Sequence, residues 1–534
     1  MRRIISTFFL LAVIMVMVFG SMGSVEAFQN VKIQQGGKLV TDFDQNGVYD
    51  PYYVKAVGYS PYEIGSFPTQ WGPCWYTGTV GGQPQFSCPG AGVFENENVL
   101  SRDLNLIKQL NANTIRTWDK VSSRLLDDAN SRGIKVIAGY WIPHNLDYLN
   151  GDLSMVRNDF LNYVQTFQNH PAILIWGLSN ENETELCSFP GAQNGCDRTQ
   201  QAAAFYNFIN SLAQQVKVIE GNNFHPVMLV SADLGDIGKI ATDQMLSNID
   251  IHGCNVYRGA ILGTDVNNFF TQYSQRSSKP VLITEFGNDA WSVQDATNPS
   301  VGQERQDLQS SYILSQWNTI RFNKAVGGVV LEYSDEWWKD TMGTFGWTPE
   351  SANHNYGYGR LPDGTVFNAG QPDGYANDEW WGITSRTKNS IEGGVDVITP
   401  RRAYYDLQHQ FGNFLYPSST NVQITMKKDN IFYLTKMNAF KIRSEILSGW
   451  MLYNNQDGVY TPVGGTPTPT VVQGFGFYQS SGGIAAGGET TIEAYVNNNK
   501  SYGTYEGSYT LKGVKNGIWV VIDTIRYRIQ FLAQ

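Results

Sequence analysis

Two glutamates stand at positions where a side chain could do chemistry. Glu181 closes the string Trp-Gly-Leu-Ser-Asn-Glu at 176–181, and Glu285 lies in Ile-Thr-Glu-Phe-Gly at 283–287. Each comes where an apolar, β-branched run stops: Ala172-Ile-Leu-Ile-Trp176 leads to the first and Pro280-Val-Leu-Ile-Thr284 to the second. A carboxylate at the end of a buried strand costs desolvation free energy that packing does not return, so a reactive site accounts for it best. Retaining cleavage of a glycosidic bond needs one protonated carboxyl to hand a proton to the leaving oxygen. It also needs one ionised carboxylate to attack the anomeric carbon, with the two groups about 5 to 5.5 Å apart.

The elements around these residues repeat. Strand-like runs span 54–60, 113–118, 135–141, 173–178, 226–231, 251–257, 280–285 and 327–333. Helix-like stretches lie between them, as at 98–110, where Leu100, Leu104, Ile107 and Leu110 recur at helical spacing, and at 202–218. Eight alternations of strand and helix predict a (β/α)8 TIM barrel, whose catalytic groups sit at the carboxyl ends of the strands. Glu181 and Glu285 then end strands four and seven, and 104 residues between them suit three strand–helix units. The expected organisation is a catalytic domain over 28–413, with a long insertion at 334–399 and a last helix near 400–410. Loops that long inside a compact domain are usually functional or disordered, and the aromatic content of this one, including Trp337, Trp338, Trp347, Trp380 and Trp381, favours function. From 414 to 534 short alternating runs separated by Gly, Asn and Pro clusters predict a smaller, sandwich-like all-β domain. Its expected role is structural.

These strings resemble clan A of the glycoside hydrolases, the retaining (β/α)8 superfamily that includes β-galactosidase-like, cellulase-like and 1,3-β-glucanosyltransferase families. The resemblance covers roughly residues 50 to 412. It implies that Glu181 is the acid/base, Glu285 the nucleophile, and Asn180 a partner of the substrate 2-hydroxyl. It also implies that Arg116, in Asn113-Thr-Ile-Arg116-Thr-Trp118, keeps the nucleophile ionised, since an adjacent guanidinium lowers a carboxylate pKa. By the same resemblance Tyr257 hydrogen-bonds the nucleophile and Trp337 forms the aromatic floor under the sugar. The clan's histidine near strand three or six has no clear match. His144 is a candidate subsite residue, and His252 reads as buried structure. Among rival carboxylates, Glu183 and Glu185 read as a solvated loop, and Glu332 and Glu336 as candidate substrate contacts.

Composition sets further bounds. Met1-Arg-Arg, an apolar core from Ile4 to Phe19 and small residues ending at Ala27 form a secretory signal pattern over 1–27, implying a secreted, periplasmic or cell-envelope protein. No later run offers the ~18 apolar residues of a membrane span. A net charge of −10 argues against nucleic acid or anionic lipid as a partner. Aromatics at 13% against 16% charged residues suit stacking on sugars, although any single Trp is more often core. In an oxidising compartment the five cysteines predict bridges Cys74–Cys88 and Cys187–Cys196 with Cys254 free, and their spacings do not favour zinc. Asp42-Phe-Asp44-Gln-Asn46-Gly47 resembles the start of a calcium loop, but position twelve is Tyr53, so an Asn-Gly hairpin is expected. The sequon Asn182-Glu-Thr184 is expected to stay unmodified.

The sequence therefore predicts an exported retaining β-glycosidase without metal or cofactor, acting on an oligo- or polysaccharide, in an oligomeric state the sequence leaves open. Arg102–Arg116 and Gly58-Tyr-Ser-Pro-Tyr are similar to stretches of the 1,3-β-glucanosyltransferases, which tilts the substrate toward β-glucan. The alternatives are a transglycosylase on the same scaffold, an exo-acting β-galactosidase or a β-mannosidase or mannanase, and a non-catalytic glycan-binding envelope protein.

Overall fold

The computed structural model describes residues 31–532 apart from 35, 68–73, 81–82, 88–95, 193–194, 259–263, 296–297, 299, 324, 340–376, 392–393, 414, 418–420, 428–433, 446–447, 471–474, 478, 487, 498–500 and 516. The expected signal segment, Cys88 and Trp347 lie outside the described residues, and with Cys88 the expected Cys74–Cys88 bridge.

Eight parallel strands close a barrel: β1 (Val54–Gly58), β2 (Thr114–Arg116), β3 (Lys135–Tyr140), β4 (Ile173–Leu178), β5 (Val227–Ala232), β6 (Ile251–Asn255), β7 (Val281–Phe286) and β8 (Gly327–Val330). Each pairs with its successor, and β8 returns to β1 with Gly327 beside Val54 and Val330 beside Val57. The strands are buried along nearly their whole length because a packed interior covers one face and helices the other. That double burial is why they stand out as apolar runs in the sequence.

The outer layer is α1 (Glu97–Gln109), α2 (Ser123–Ser131), α3 (Ser154–Phe167), α4 (Arg198–Glu220), α5 (Thr264–Ser274), α6 (Gln306–Phe322) and α7 (Arg402–Gly412). The side chain of Asn96 caps α1 by accepting from the N–H groups of Asn98 and Val99, and Val99, Leu100, Leu104 and Ile107 form its buried stripe. The expected eightfold alternation needs one correction. The link between β5 and β6, residues 233–250, holds turns and no helix. Asp233, Gly235 and Gly238 adopt φ of 47°, 41° and 73°, which a helix does not tolerate, and Leu234, Ile237, Leu246 and Ile249 fill the outer layer instead. Among the described residues no helix is long and apolar enough to cross a membrane.

The amino-terminal strands Val31–Gln34 and Lys38–Thr41 form a hairpin whose Val31 and Leu39 join Val54, Ile175, Met228 and Leu282 in one cluster, plugging the barrel at the end where its strands begin. The Asp42–Gly47 loop turns on its own carboxylate, with Asp42 accepting from the N–H groups of Asn46 and Gly47.

The carboxyl-terminal region is a sandwich of two sheets. One orders β9 (Leu415–Pro417), β11 (Leu434–Ser444), β15 (Glu489–Asn497) and β13 (Phe475–Phe477) side by side. The other runs through β10 (Asn421–Lys427), β17 (Ile518–Leu532), β16 (Gly503–Lys515), β12 (Ser448–Asn454) and β14 (Ser481–Ile484). Ile442, Trp450, Ile492, Leu511 and Ile529 fill the space between them. The sandwich meets the barrel at its amino-terminal end. There Lys55, the second residue of β1, donates to the carbonyls of Phe411 and Asn413 at 2.7 and 2.9 Å and pairs with Glu445 at 2.9 Å. Arg443 donates to the carbonyl of Arg321 at 3.1 Å. These contacts lie at the end of the barrel opposite the strand ends that carry Glu181 and Glu285.

Candidate active site

Glu285 is the fifth residue of β7, 7% exposed, and three donors from the ends of two other strands converge on it. Arg116, the last residue of β2, gives Nη1 to Oε1 at 2.7 Å, and the indole Nε1 of Trp118 reaches the same oxygen at 2.8 Å. The Tyr257 hydroxyl, just past β6, donates to Oε2 at 2.5 Å. Charge-assisted bonds of this kind favour the ionised carboxylate and hold it in one orientation. Burial and the charge of Glu285 push the Tyr257 hydroxyl well above its ordinary pKa, so it remains a donor. Arg116 is itself oriented by the carbonyl of Thr284 at 2.9 Å and by Asn180 Oδ1 at 2.8 Å.

Glu181 stands on the turn that follows β4. Its own φ of 58° and that of Ser179, 64°, lie in the left-handed region, which costs a non-glycine residue on the order of 1 kcal/mol each. Neighbouring strands hold the turn: Ser179 N–H donates to the carbonyl of Tyr140 at 3.1 Å, and Glu181 N–H to that of Val230 at 3.2 Å. Asn255 Nδ2 donates to Glu181 Oε1 at 2.7 Å, and Thr284 Oγ1 donates to Asn255 Oδ1 at 2.8 Å, which settles which way that amide faces. Surrounding protein pushes the Glu181 carboxyl up to about 7, and the negative charge of Glu285 adds to the rise. Glu181 is thus set to keep its proton up to about neutrality, in a site whose other carboxyl group is held by three donors.

Asn180 joins the two halves of the site, its Oδ1 accepting from both Arg116 and Asn255. Glu181, Glu285, Asn180, Arg116 and Tyr257 are therefore one connected constellation. His144 is not part of it: its ring stacks on Trp141 at 5.0 Å on the rim after β3, with Glu185 3.6 Å away. Trp337 is half-buried in the turn beyond β8, whereas the ring that packs on Tyr257, edge to face at 5.0 Å, is Trp381. The sequence reading missed Trp118 and Asn255 as parts of the site. Their only signal was position, within two residues of the ends of β2 and β6.

Glu183 corrects another expectation. It is 2% exposed instead of solvated, because the turn at Asn182–Thr184 folds back beneath β5, where Glu183 Oε1 accepts the N–H of Ala232 at 2.7 Å. Burial pushes its carboxyl up to about 8. Asn182 is fully buried and donates to the carbonyl of Ile142 at 2.9 Å, so the sequon amide has no room for a glycan. Cys187 and Cys196 are disulfide-bonded in the next loop, and Cys254 is a buried free thiol. Beyond β8, Glu332 and Glu336 are buried with Lys339, which lies 3.7 Å from the first and 2.7 Å from the second. Asp378, pushed up to about 6 by burial, sits within electrostatic reach of both Lys339 and Glu285.

The closed parallel barrel presents a carboxyl of raised pKa after its fourth strand and, on its seventh, a carboxylate that accepts three hydrogen bonds. The arrangement resembles that of clan A of the glycoside hydrolases. Residues 89–344 match the family model described as Glycosyl hydrolases family 2, TIM barrel domain. Similar solved structures include Bacteroides uniformis β-glucuronidase 2 (14% identity, 93% of this chain and 49% of that one, TM-score 0.45). Others are Parabacteroides merdae β-glucuronidase (17%, 95% and 51%, 0.43) and an Eisenbergiella tayi β-galacturonidase (16%, 71% and 54%, 0.44). The chain spans about half the length of these structures. No curated protein matches the sequence.

Proposed function

We propose that this protein is an exported retaining β-glycosidase that cleaves a neutral β-linked glycan, β-glucan in preference, through a covalent glycosyl-enzyme at Glu285. The observation that carries this reading is the division of labour between the two glutamates. Glu285 is held by Arg116, Trp118 and Tyr257 in a form suited to attack, while Glu181 keeps its proton to about pH 7. In the first step Glu181 protonates the glycosidic oxygen as Glu285 bonds to the anomeric carbon and the leaving sugar departs. In the second, the Glu181 carboxylate takes a proton from water or a sugar hydroxyl, which displaces Glu285 and restores both groups. Asn180, its Oδ1 committed to Arg116 and Asn255, offers its amide N–H to the 2-hydroxyl.

The preference for a neutral sugar rests on charge. Asp378 lies within electrostatic reach of Glu285 and of Lys339, and Lys339 is itself held by Glu332 and Glu336. The Lys339 ammonium is thus already matched by a carboxylate and is not left over for a uronate. Export is supported by the pattern at 1–27, and β-glucan by the likeness of 58–62 and 102–116 to the glucanosyltransferases.

Product chromatography tests the reading: the protein and Glu285→Ala are incubated with β-glucans, mannans, galactans and polyuronates. Shortened chains from a neutral β-glucan with the wild type alone are expected, and products longer than the input would identify transfer. Cleavage of polyuronates alone would refute the neutral-sugar reading, and no change to any glycan would refute the glycosidase.

A further inference from the structure

Trp141 is the first residue after β3 and keeps 36% of its surface exposed at the carboxyl end of the barrel. Its indole lies parallel to the His144 imidazole, with 6° between the ring planes and 5.0 Å between centroids. His144 is 18% exposed and has Glu185, from the acid's own loop, 3.6 Å from Nδ1. The segment runs directly beside that loop: Ser179 N–H bonds the carbonyl of Tyr140, and Asn182 Nδ2 reaches those of Ile142 and Pro143 at 2.9 and 3.4 Å. Two stacked rings, fixed by the turn that carries Glu181, form a flat bench open to solvent.

Its position in the barrel says what the bench faces. In a closed ring of eight sequentially paired strands, β3 stands opposite β7, which carries Glu285. Double displacement requires the leaving group to depart from the side of the anomeric carbon away from the nucleophile, past the acid that protonates it. Resting on the glycosidase reading above, we infer that Trp141, backed by His144, is the platform for the leaving-group sugar, and for the acceptor sugar when the intermediate is resolved by transfer. The ligand is a pyranose that lays a C–H face on the indole, whose negative π face attracts those hydrogens. Its ring hydroxyls lie within the polar edge formed by His144 and Glu185. Trp141 is thus a specificity residue for the half of the substrate that Glu285 never touches.

The test compares a substrate with a leaving sugar to one without. Wild type, Trp141→Ala, Trp141→Phe and His144→Ala are assayed on a β-1,3-linked gluco-oligosaccharide and on the matching β-glucosyl fluoride, which has no sugar on the leaving side. In Trp141→Ala the ratio of kcat/KM for the oligosaccharide to that for the fluoride is expected to fall about tenfold. Trp141→Phe should restore most of the ratio, and the acceptor concentration that diverts half of the intermediate should rise in parallel. A ratio within twofold of wild type in both Trp141→Ala and His144→Ala overturns the platform, whatever the loss in absolute rate. If the wild type cleaves a different glycan in the product assay, that oligosaccharide and its matching glycosyl fluoride replace this pair, and a wild type inert toward every glycan overturns the glycosidase reading, and the platform with it.

Discussion

A Cβ placed on Gly58, the last residue of β1, would stand 2.6 Å from Cη2 of Trp118. The missing side chain is what lets the indole lie across the strand end and donate to Glu285. A methyl group there cannot be accommodated without moving the ring. We predict that Gly58→Ala lowers kcat about tenfold or more while leaving KM within a few fold, because the lost bond orients the attacking carboxylate. Trp118→Phe should give a similar loss, and the double variant should lose little beyond either single one. Full additivity in steady-state kinetics would show that the two residues act independently.

The pH profile follows from Glu181. Its carboxyl is raised to about 7, so it holds the proton it must donate below that pH and loses it above, and kcat/KM should fall along an alkaline limb near pH 7. Asn255 donates to the ionised form and so lowers this pKa. Asn255→Ala should therefore move the alkaline limb to higher pH. A limb that stays in place or moves down in the kcat/KM profile would contradict the assignment of that limb to Glu181.

Glu183 makes a prediction about stability. Its folded pKa, about 8, lies above the ordinary 4.5, so the favourable contribution of the protonated form is complete below about 4.5 and is lost as pH rises toward 8. Glu183→Gln retains an acceptor for the Ala232 N–H and does not titrate. The melting temperature of Glu183→Gln relative to wild type should increase from pH 5 to pH 8.5. A difference that is flat or falls across that range would mean that Glu183 is ionised in the folded protein.

Lys55 tests the joint between barrel and sandwich. Removing its ammonium leaves two backbone carbonyls and Glu445 without it, a loss of about 3 kcal/mol for a buried pair. Lys55→Met should lower the melting temperature by several degrees while kcat and KM at low temperature stay within twofold, since these contacts lie at the far end of the barrel from Glu181 and Glu285. A large change in KM without loss of stability would refute that separation.

The barrel was legible because each strand is buried on both faces, which writes it into the chain as a β-branched run. Ile173–Leu178 and Val281–Phe286 fall where those runs predict, and the glutamates at their ends stood out because charge seldom ends such a run. Arg116 and Tyr257 came from resemblance to a clan, read at the strand ends.

What the chain could not express locally is which strand ends meet. Trp118 and Glu285 are 167 residues apart, and Asn255 and Glu181 are 74 apart, so only ring closure makes them hydrogen-bonded pairs. The burial of Glu183, hydrophilic by composition, depends on a turn folding beneath β5, and the missing helix after β5 depends on left-handed residues at 233, 235 and 238. The sequence by itself determined the strands, the layer pattern and the two carboxylates, since local burial dictates residue type. The tertiary structure alone decided the partners that orient and titrate them, since those bonds arise only when barrel closure brings side chains from strand ends distant in sequence within 3 Å of one another.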